Sequence, residues 1–125
     1  MNSPRGVRVL IVDRDRRVRR ALRDLLTAEP DVEISAAVGD VRAALAQVHA
    51  QRPDVALLDV LLPGPAEGLA LVLELRRLAV PVVVLTAASS LREQAQDYGV
   101  AAFLEKDHNL HRIPEAVRAA RPPPE

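Results

Sequence analysis

Short apolar runs alternate with amphipathic segments along the whole chain, and polar or turn-forming residues separate them. Five of the apolar runs have the length and the β-branched or aliphatic composition of strands. They are Val7–Val12, Val32–Val38, the run from Val55 that ends at Asp59, Pro81–Leu85 and Ala101–Leu104. The second run is the weakest, because its apolar residues partly alternate with polar ones.

Apolar residues recur at helical spacing in the segments between these runs. The first predicted helix carries its apolar stripe from Val18 to Leu26, with Asp15 as its N-cap. Strand and helix alternate five times, which predicts an α/β fold with a parallel sheet and right-handed crossovers. The other predicted helices run from Val41 to about Gln51, from Gly68 onward, from Leu91 to Tyr98 and from Leu110 to Val117.

The third apolar run ends in a carboxylate, Asp59, shortly before a turn at Pro63-Gly64. A strand this apolar is typical of the centre of a parallel sheet, and open α/β sheets bind ligands at the carboxyl ends of their strands. A carboxylate buried there without a partner is costly, so a cation should meet it. The run alone leaves two interpretations open, a functional aspartate or one that caps the turn.

The composition of the chain excludes several classes of protein. The 125 residues fit one domain, and the 17 basic and 17 acidic residues cancel, which gives no general attraction to nucleic acid or membrane. The absence of cysteine excludes disulfides and thiolate metal sites. No apolar run reaches membrane-spanning length and the start is not a signal peptide, so we expect a cytoplasmic protein without a membrane partner.

Four polar residues fall where predicted strands end: Asp13, Asp59, Thr86 and Lys106. Each is ordinary alone, as a cap, a turn residue or a solvated surface group. Because the carboxyl ends of parallel strands meet at one edge, we expect all four to lie together. Lys106 is the only lysine among 17 basic residues, which suits a site that needs a compact ammonium or reflects chance retention.

At these residues the chain resembles the receiver domain of two-component response regulators. The resemblance covers Val7 to about Ala120. It is carried by Val9–Asp13, by Leu57–Asp59 with Pro63 four residues later, by Val84–Ala87 and by Phe103–Lys106. The Lys106-Asp107 ending and the connection Leu26–Asp31 look most like receivers of the NarL/FixJ kind.

The resemblance implies a flavodoxin-like (βα)5 fold with five parallel strands in the order 2-1-3-4-5. The receiver domain would occupy residues 1–121, and the proline-rich residues 122–125 would be a tail or the start of a linker. Receivers of this kind usually carry a C-terminal DNA-binding effector domain, which this chain does not contain. The implied partner is a sensor histidine kinase.

The resemblance also implies roles for the residues at the predicted edge. Asp59 would accept a phosphoryl group, and Mg²⁺ would be held by Asp59, the Leu61 carbonyl and, through water, Asp13. Lys106 and Thr86 would bind phosphoryl oxygens. Phe103 would turn inward as the switch aromatic, and the fourth helix, fifth strand and fifth helix would then present a changed face that could pair with a second copy. We expect no independent substrate turnover.

The sequence departs from the family at Arg14, where a second acidic metal ligand is usual. A guanidinium cannot bind a metal. Arg14 could replace the cation, pair with Asp59 and hold the domain in a phosphorylation-independent state. Alternatively, Arg14 points to solvent, and Asp15 or water completes the coordination sphere. A degenerate receiver that only binds or dimerises is therefore the second hypothesis.

Two further departures concern neighbouring loops. The segment between Pro63 and Gly68 is one residue longer than is usual, which predicts a local bulge. Leu61 and Ala88 occupy positions that, in the family this chain resembles, influence the hydrolytic water, and neither side chain can hydrogen-bond it. We therefore expect a long-lived phosphoryl group, and a half-life of seconds would contradict this.

Other classes of protein fit the sequence less well. A flavin or nucleotide binder of the same strand order needs a phosphate-binding loop after the first strand, and Asp13–Arg17 is not one. A hydrolase is also a poor fit, because this sequence has no Gly-x-Ser-x-Gly motif. Its histidines lie on a helix face or late in the chain. The arginines of the first helix could form a basic patch, but neighbouring acids and the lack of aromatics favour a solvated face.

Overall fold

A computed structural model describes residues 6–61, 64–107 and 110–122. Five parallel strands form one sheet in the order β2-β1-β3-β4-β5, as the resemblance implied. The strands are β1 Val7–Val12, β2 Val32–Val38, β3 Val55–Leu58, β4 Val82–Thr86 and β5 Ala102–Glu105. The helices are α1 Arg16–Thr27, α2 Val41–Ala50, α3 Pro65–Arg77, α4 Arg92–Asp97 and α5 Ile113–Ala120.

The sheet is covered on both faces, because alternate side chains of each strand enter different cores. In β1, Leu10 and Val12 pack with residues of α2 and α3, whereas Val9 and Ile11 pack with residues of α1 and α5. The central strand β3 is buried at all four positions. The weak second run forms the edge strand β2, which pairs with β1 only.

Local signals set the starts of α1 and α3 more closely than hydrophobic spacing does. Asp15 caps α1 by accepting hydrogen bonds from the amides of Arg17 and Val18, as predicted. The prediction that Gly68 opens α3 was wrong, because the helix begins at Pro65. A proline fits the first helical turn, where its missing N–H is not needed.

The start of α3 also tests the bulge predicted between Pro63 and Gly68. Residues 65–68 form the first turn of α3, so no bulge lies in them. The prediction also touches Pro63, which lies outside the described residues. Two other helices begin late, since Leu91 and Leu110 lie in 3₁₀ turns before α4 and α5. Within the described ranges, no helix combines the length and apolar character needed to cross a membrane.

Candidate functional site

The four polar residues predicted at strand ends do lie at the carboxyl edge of the sheet. Asp13 follows β1, Asp59 follows β3, Thr86 ends β4 and Lys106 follows β5. Backbone hydrogen bonds continue the ladder into the loops, from the Asp59 amide to the Val12 carbonyl at 3.0 Å and from the Lys106 amide to the Thr86 carbonyl at 3.0 Å. The site residues are therefore held by the sheet itself.

Lys106 joins the two aspartates. Its Nζ lies 2.8 Å from Asp59 Oδ2 and 2.9 Å from Asp13 Oδ2. The other oxygen of each carboxylate accepts a hydrogen bond from a backbone amide. Asp13 Oδ1 accepts from the Asp15 amide at 2.8 Å, and Asp59 Oδ1 accepts from the Leu61 amide at 3.0 Å. The predicted proximity of the lone ammonium and the two acids is thus confirmed.

The electrostatics of this cluster favour a charged lysine. Burial alone lowers the pKa of Lys106, but hydrogen bonds to Asp59 and Asp13 outweigh burial and leave that pKa above its ordinary value. Asp13 is 2% exposed and Asp59 is 8% exposed. With both carboxylates ionised, one ammonium leaves one negative charge, which can be offset by a further cation.

The loop after Asp59 depends on a close backbone approach. Gly68 lies in the first part of α3, and a Cβ added there would lie 1.7 Å from the Val60 carbonyl oxygen. Only glycine allows α3 to pass so near the chain next to Asp59. Sequence reasoning used Gly68 as a helix start and missed this role, which a glycine inside a helical pattern could have indicated.

Thr86 ends β4 at this edge, and Phe103 lies inside the sheet on the neighbouring strand β5, opposite Val84. Thr86 is fully buried, and its Oγ accepts a hydrogen bond from the Ala88 amide at 3.3 Å. The Phe103 ring is already inward, at 6% exposure within the core that includes Ala95 of α4. Sequence reasoning missed Arg92, whose guanidinium carbon lies 4.8 Å from the centroid of that ring.

Arg14 is exposed, and across the described ranges it forms no ion pair with Asp59. Lys106 takes the position proposed for the guanidinium. The reason is local, since the Asp15 amide turns back to the Asp13 carboxylate and leaves Arg14 on the outside of the turn. Asp15 is engaged by the amides of α1, which lower the pKa of its carboxyl, so it is not turned toward the pocket.

The oxygen atoms of this site are of the type that binds a hard cation, but there are few of them. Two carboxylates and the Leu61 carbonyl are the oxygen chemistry that Mg²⁺ takes, with water completing its shell. In residues 6–61, 64–107 and 110–122, no group of three or more acidic, histidine or cysteine side chains could hold a metal. The site therefore fits Mg²⁺ only if several waters remain on the ion.

Comparison with known proteins identifies the class. The family described as "Response regulator receiver domain" matches residues 9–118, so the chain belongs to the receiver domains of response regulators. The response regulator MprA of Mycolicibacterium vanbaalenii is 36% identical over 118 residues, covering 90% of this chain and 49% of MprA. The chain spans about half or less of the curated relatives it matches.

Other relatives place the chain beside transcription regulators and one group of enzymes. The transcriptional activator DevR/DosR of Mycobacterium tuberculosis is 51% identical over 57 residues, which cover 46% of this chain and 26% of DevR/DosR. A protein-glutamate methylesterase of Pyrococcus horikoshii is 31% identical, covering 94% of this chain and 36% of that protein. The signal receiver domain of NarL from M. tuberculosis superposes with a TM-score of 0.81 at 31% identity, covering 92% and 95% of the two chains.

Proposed function

We propose that Asp59 accepts a phosphoryl group from a sensor histidine kinase. The observation that supports this best is the position of Lys106, whose ammonium lies between Asp59 and Asp13 at nearly equal distances. A carboxylate oxygen of Asp59 attacks phosphorus, the phosphorus–nitrogen bond of the donor breaks, and the imidazole keeps that electron pair and takes up a proton. Catalysis by the receiver is mostly positioning and charge neutralisation.

Lys106 holds Asp59 in place before transfer and moves to a phosphoryl oxygen after it. An ammonium suits this exchange because its three donors rotate on a flexible stem. Thr86 contributes its hydroxyl as a donor to another phosphoryl oxygen from the adjacent strand. Mg²⁺, when bound through Asp13, Asp59 and the Leu61 carbonyl, supplies positive charge that screens the phosphoryl oxygens.

An apolar cavity beside the pocket favours a protein as the donor. A volume of about 320 Å³ lies next to Lys106 between α1 and the segment before α5, where Leu110 is exposed. A partner helix can bury such a surface, which a small phosphodonor cannot. The cavity is lined by Val18, Ala21, Leu22, Leu25, Leu85, Lys106 and Leu110.

The output face comprises α4, β5 and α5, which changes when Phe103 moves and which can pair with a second copy. The matched relatives include a DNA-binding transcriptional activator, which supports a DNA-binding effector domain as the output. The methylesterase relatives show that receivers also accompany enzymes. The receiver itself turns over no substrate in this proposal, and its phosphoryl group is long-lived because Leu61 and Ala88 present only apolar side chains.

Phosphorylation of the intact chain by acetyl phosphate with Mg²⁺ tests this function. Mass spectrometry should detect one added phosphoryl group in the parent and none in Asp59→Asn. Asp40→Asn is the matched control, because Asp40 is an exposed aspartate whose carboxylate accepts a hydrogen bond from the Ala43 amide as the cap of α2. Phosphorylation that persists in Asp59→Asn would place the acceptor elsewhere and overturn the assignment.

A degenerate receiver remains a second candidate because Arg14 replaces a metal-binding acid while Lys106 already occupies both carboxylates. In that case the domain binds its partner without phosphorylation. Titration with Mg²⁺ separates the two candidates. A phosphorylatable receiver should bind Mg²⁺ in the millimolar range, and no binding there, together with no phosphorylation, would favour the degenerate receiver.

A further inference from the structure

Arg92, the first residue of α4, makes three contacts with β5 that the phosphoryl chemistry does not use. Its Cζ lies 4.8 Å from the centroid of the Phe103 ring. Its Nη1 donates to the Phe103 carbonyl at 3.4 Å, and its Nη2 donates to Glu105 Oε1 at 3.5 Å. One guanidinium therefore contacts the ring, the backbone and a carboxylate of the same strand.

These contacts hold the buried ring in place and are individually weak. The Arg92 and Glu105 side chains are partly exposed, and both hydrogen bonds are long. Exposed ion pairs and cation–π contacts of this kind stabilise only modestly. A set of weak contacts can be released and remade, which a switch requires and a permanent structural contact does not.

Arg92 is connected to the phosphoryl pocket from two directions. Along β5, its carboxylate partner Glu105 directly precedes Lys106. Along the other route, the Thr86 hydroxyl contacts the Ala88 amide, and a single 3₁₀ turn, Ser89–Leu91, leads from there to Arg92. A shift of Lys106 therefore moves Glu105, which is bound by Arg92, and a shift of Thr86 moves the turn that precedes Arg92.

We propose that Arg92 is a positioning residue that couples occupancy of Asp59 to the position of the Phe103 ring. The inference rests on the proposed phosphorylation of Asp59. When Lys106 and Thr86 turn toward a phosphoryl group, Glu105 and the turn before α4 shift, and Arg92 carries both shifts to the ring. Without Arg92, the pocket and the ring change independently.

The composition of the chain provides a direct probe, because Phe103 is its only phenylalanine. Incorporation of 4-fluorophenylalanine gives a single ¹⁹F resonance from that ring. The parent, Arg92→Met and Arg92→Lys are compared. Arg77→Met is the matched control, since Arg77 forms an exposed ion pair with Glu74 on α3 and has no contact with Phe103.

The first comparison needs no phosphoryl analogue. Arg92→Met should shift and broaden the ¹⁹F resonance, because losing the three weak contacts raises the population of a second ring position by about three- to tenfold. Arg92→Lys should lie between Arg92→Met and the parent, since an ammonium keeps the charge over the ring but loses the planar fork. A resonance in Arg92→Met that coincides with that of the parent would overturn the proposal.

The second comparison adds Mg²⁺ and beryllofluoride. In the parent, the adduct should move the ¹⁹F resonance of Phe103, whereas in Arg92→Met that movement should fall to less than about half. The amides of Thr86 and Lys106 report binding in the same samples. An equal ¹⁹F response in Arg92→Met, with the adduct formed, would refute the coupling.

The two proposals fail in different ways. If the amides of Thr86 and Lys106 in the parent do not respond to beryllofluoride, the phosphoryl function fails, and the coupling that rests on it fails as well. If those amides respond but Phe103 behaves alike in parent and variant, only the role of Arg92 is lost.

Discussion

One cation held by two carboxylates occurs at each end of the sheet, and the two clusters differ in burial and in the cation. At the carboxyl end, Lys106 lies between Asp13 and Asp59, whose side chains are 3% and 9% exposed. At the amino end, Arg118 of α5 contacts Glu29 and Asp31 in the turn between α1 and β2, with side chains 33% and 50% exposed.

The choice of cation distinguishes a site where the cation must change partners, at Lys106, from a permanent structural contact, at Arg118. Arg118 binds Asp31 through two parallel hydrogen bonds, Nε to Oδ2 at 2.7 Å and Nη2 to Oδ1 at 2.9 Å. A rigid guanidinium fork fixes geometry, whereas an ammonium can turn from one oxygen to another. The only lysine of the chain is therefore placed where a partner must be exchanged, and an arginine is placed where two elements are tied together.

The largest effect is expected from Gly68→Ala, which disturbs the carboxyl end alone. The added Cβ meets the Val60 backbone, which cannot move aside as a flexible side chain can. We expect a loss of about 3 kcal/mol in the free energy of unfolding, measured in urea. Gly39→Ala is the control, because the nearest atom there is the end of the Arg19 side chain, which can shift at the cost of one hydrogen bond to the Asp13 carbonyl. If both variants lose the same free energy of unfolding, the close contact between Gly68 and the Val60 backbone has no special role.

Lys106→Met should destabilise the domain by about 2 kcal/mol, because it leaves two adjacent buried carboxylates without their cation. A second substitution, Asp13→Asn, should recover much of this loss. Arg118→Met, at the amino end, should cost clearly less, since its partners are exposed. If the two single variants lose equal stability, burial does not distinguish the two clusters as we describe.

Arg14→Asp should strengthen Mg²⁺ binding by about tenfold, because it adds a third carboxylate beside Asp13. Isothermal titration with Mg²⁺ measures the change. Arg16→Asp makes the same charge change two residues farther along, on the exposed start of α1. A similar gain in Arg16→Asp would show that the effect is general charge and not ligation.

The smallest effect is expected at Arg118, where pH provides the test. Its hydrogen bonds hold the pKa of Asp31 below its ordinary value near 3.8. A lowered pKa contributes stability above that ordinary value and loses it as the pH falls through the lowered one. Parent and Arg118→Met should therefore differ in free energy of unfolding at pH 7, and the difference should disappear once the pH is below the lowered pKa of Asp31. The difference should also shrink in high salt, and a difference that grows on acidification would contradict the assignment.

The carboxyl end of the sheet was predictable from sequence because the strands bring fixed positions together. Asp13, Asp59, Thr86 and Lys106 each follow or end an apolar run, and a parallel sheet leaves them little choice of place. The sequence left two alternatives for Arg14, a pair with Asp59 or an exposed side chain, and the structure shows the exposed one. The sequence could not decide between them, because the direction of a side chain in a turn depends on local hydrogen bonds. The roles of these residues in phosphoryl transfer stay predictions.

Contacts between helices and distant segments were not predictable. Arg118 and Asp31 are 87 residues apart and both partly exposed, so no apolar pattern marks them. Arg92 contacts Phe103 from the first residue of α4, and sequence reasoning placed the start of that helix one residue earlier, at Leu91. Capping rules would have corrected the start of α3, since Pro65 fits its first turn.

The most direct test of the exchange at Lys106 is a crystal structure of the chain with Mg²⁺ and beryllofluoride. We predict beryllium on an Asp59 oxygen, the Lys106 ammonium on a fluorine instead of on both carboxylates, and Arg14 in solvent. Lys106 still bridging Asp13 and Asp59, with no beryllofluoride on Asp59 or with Arg14 against it, would contradict the account.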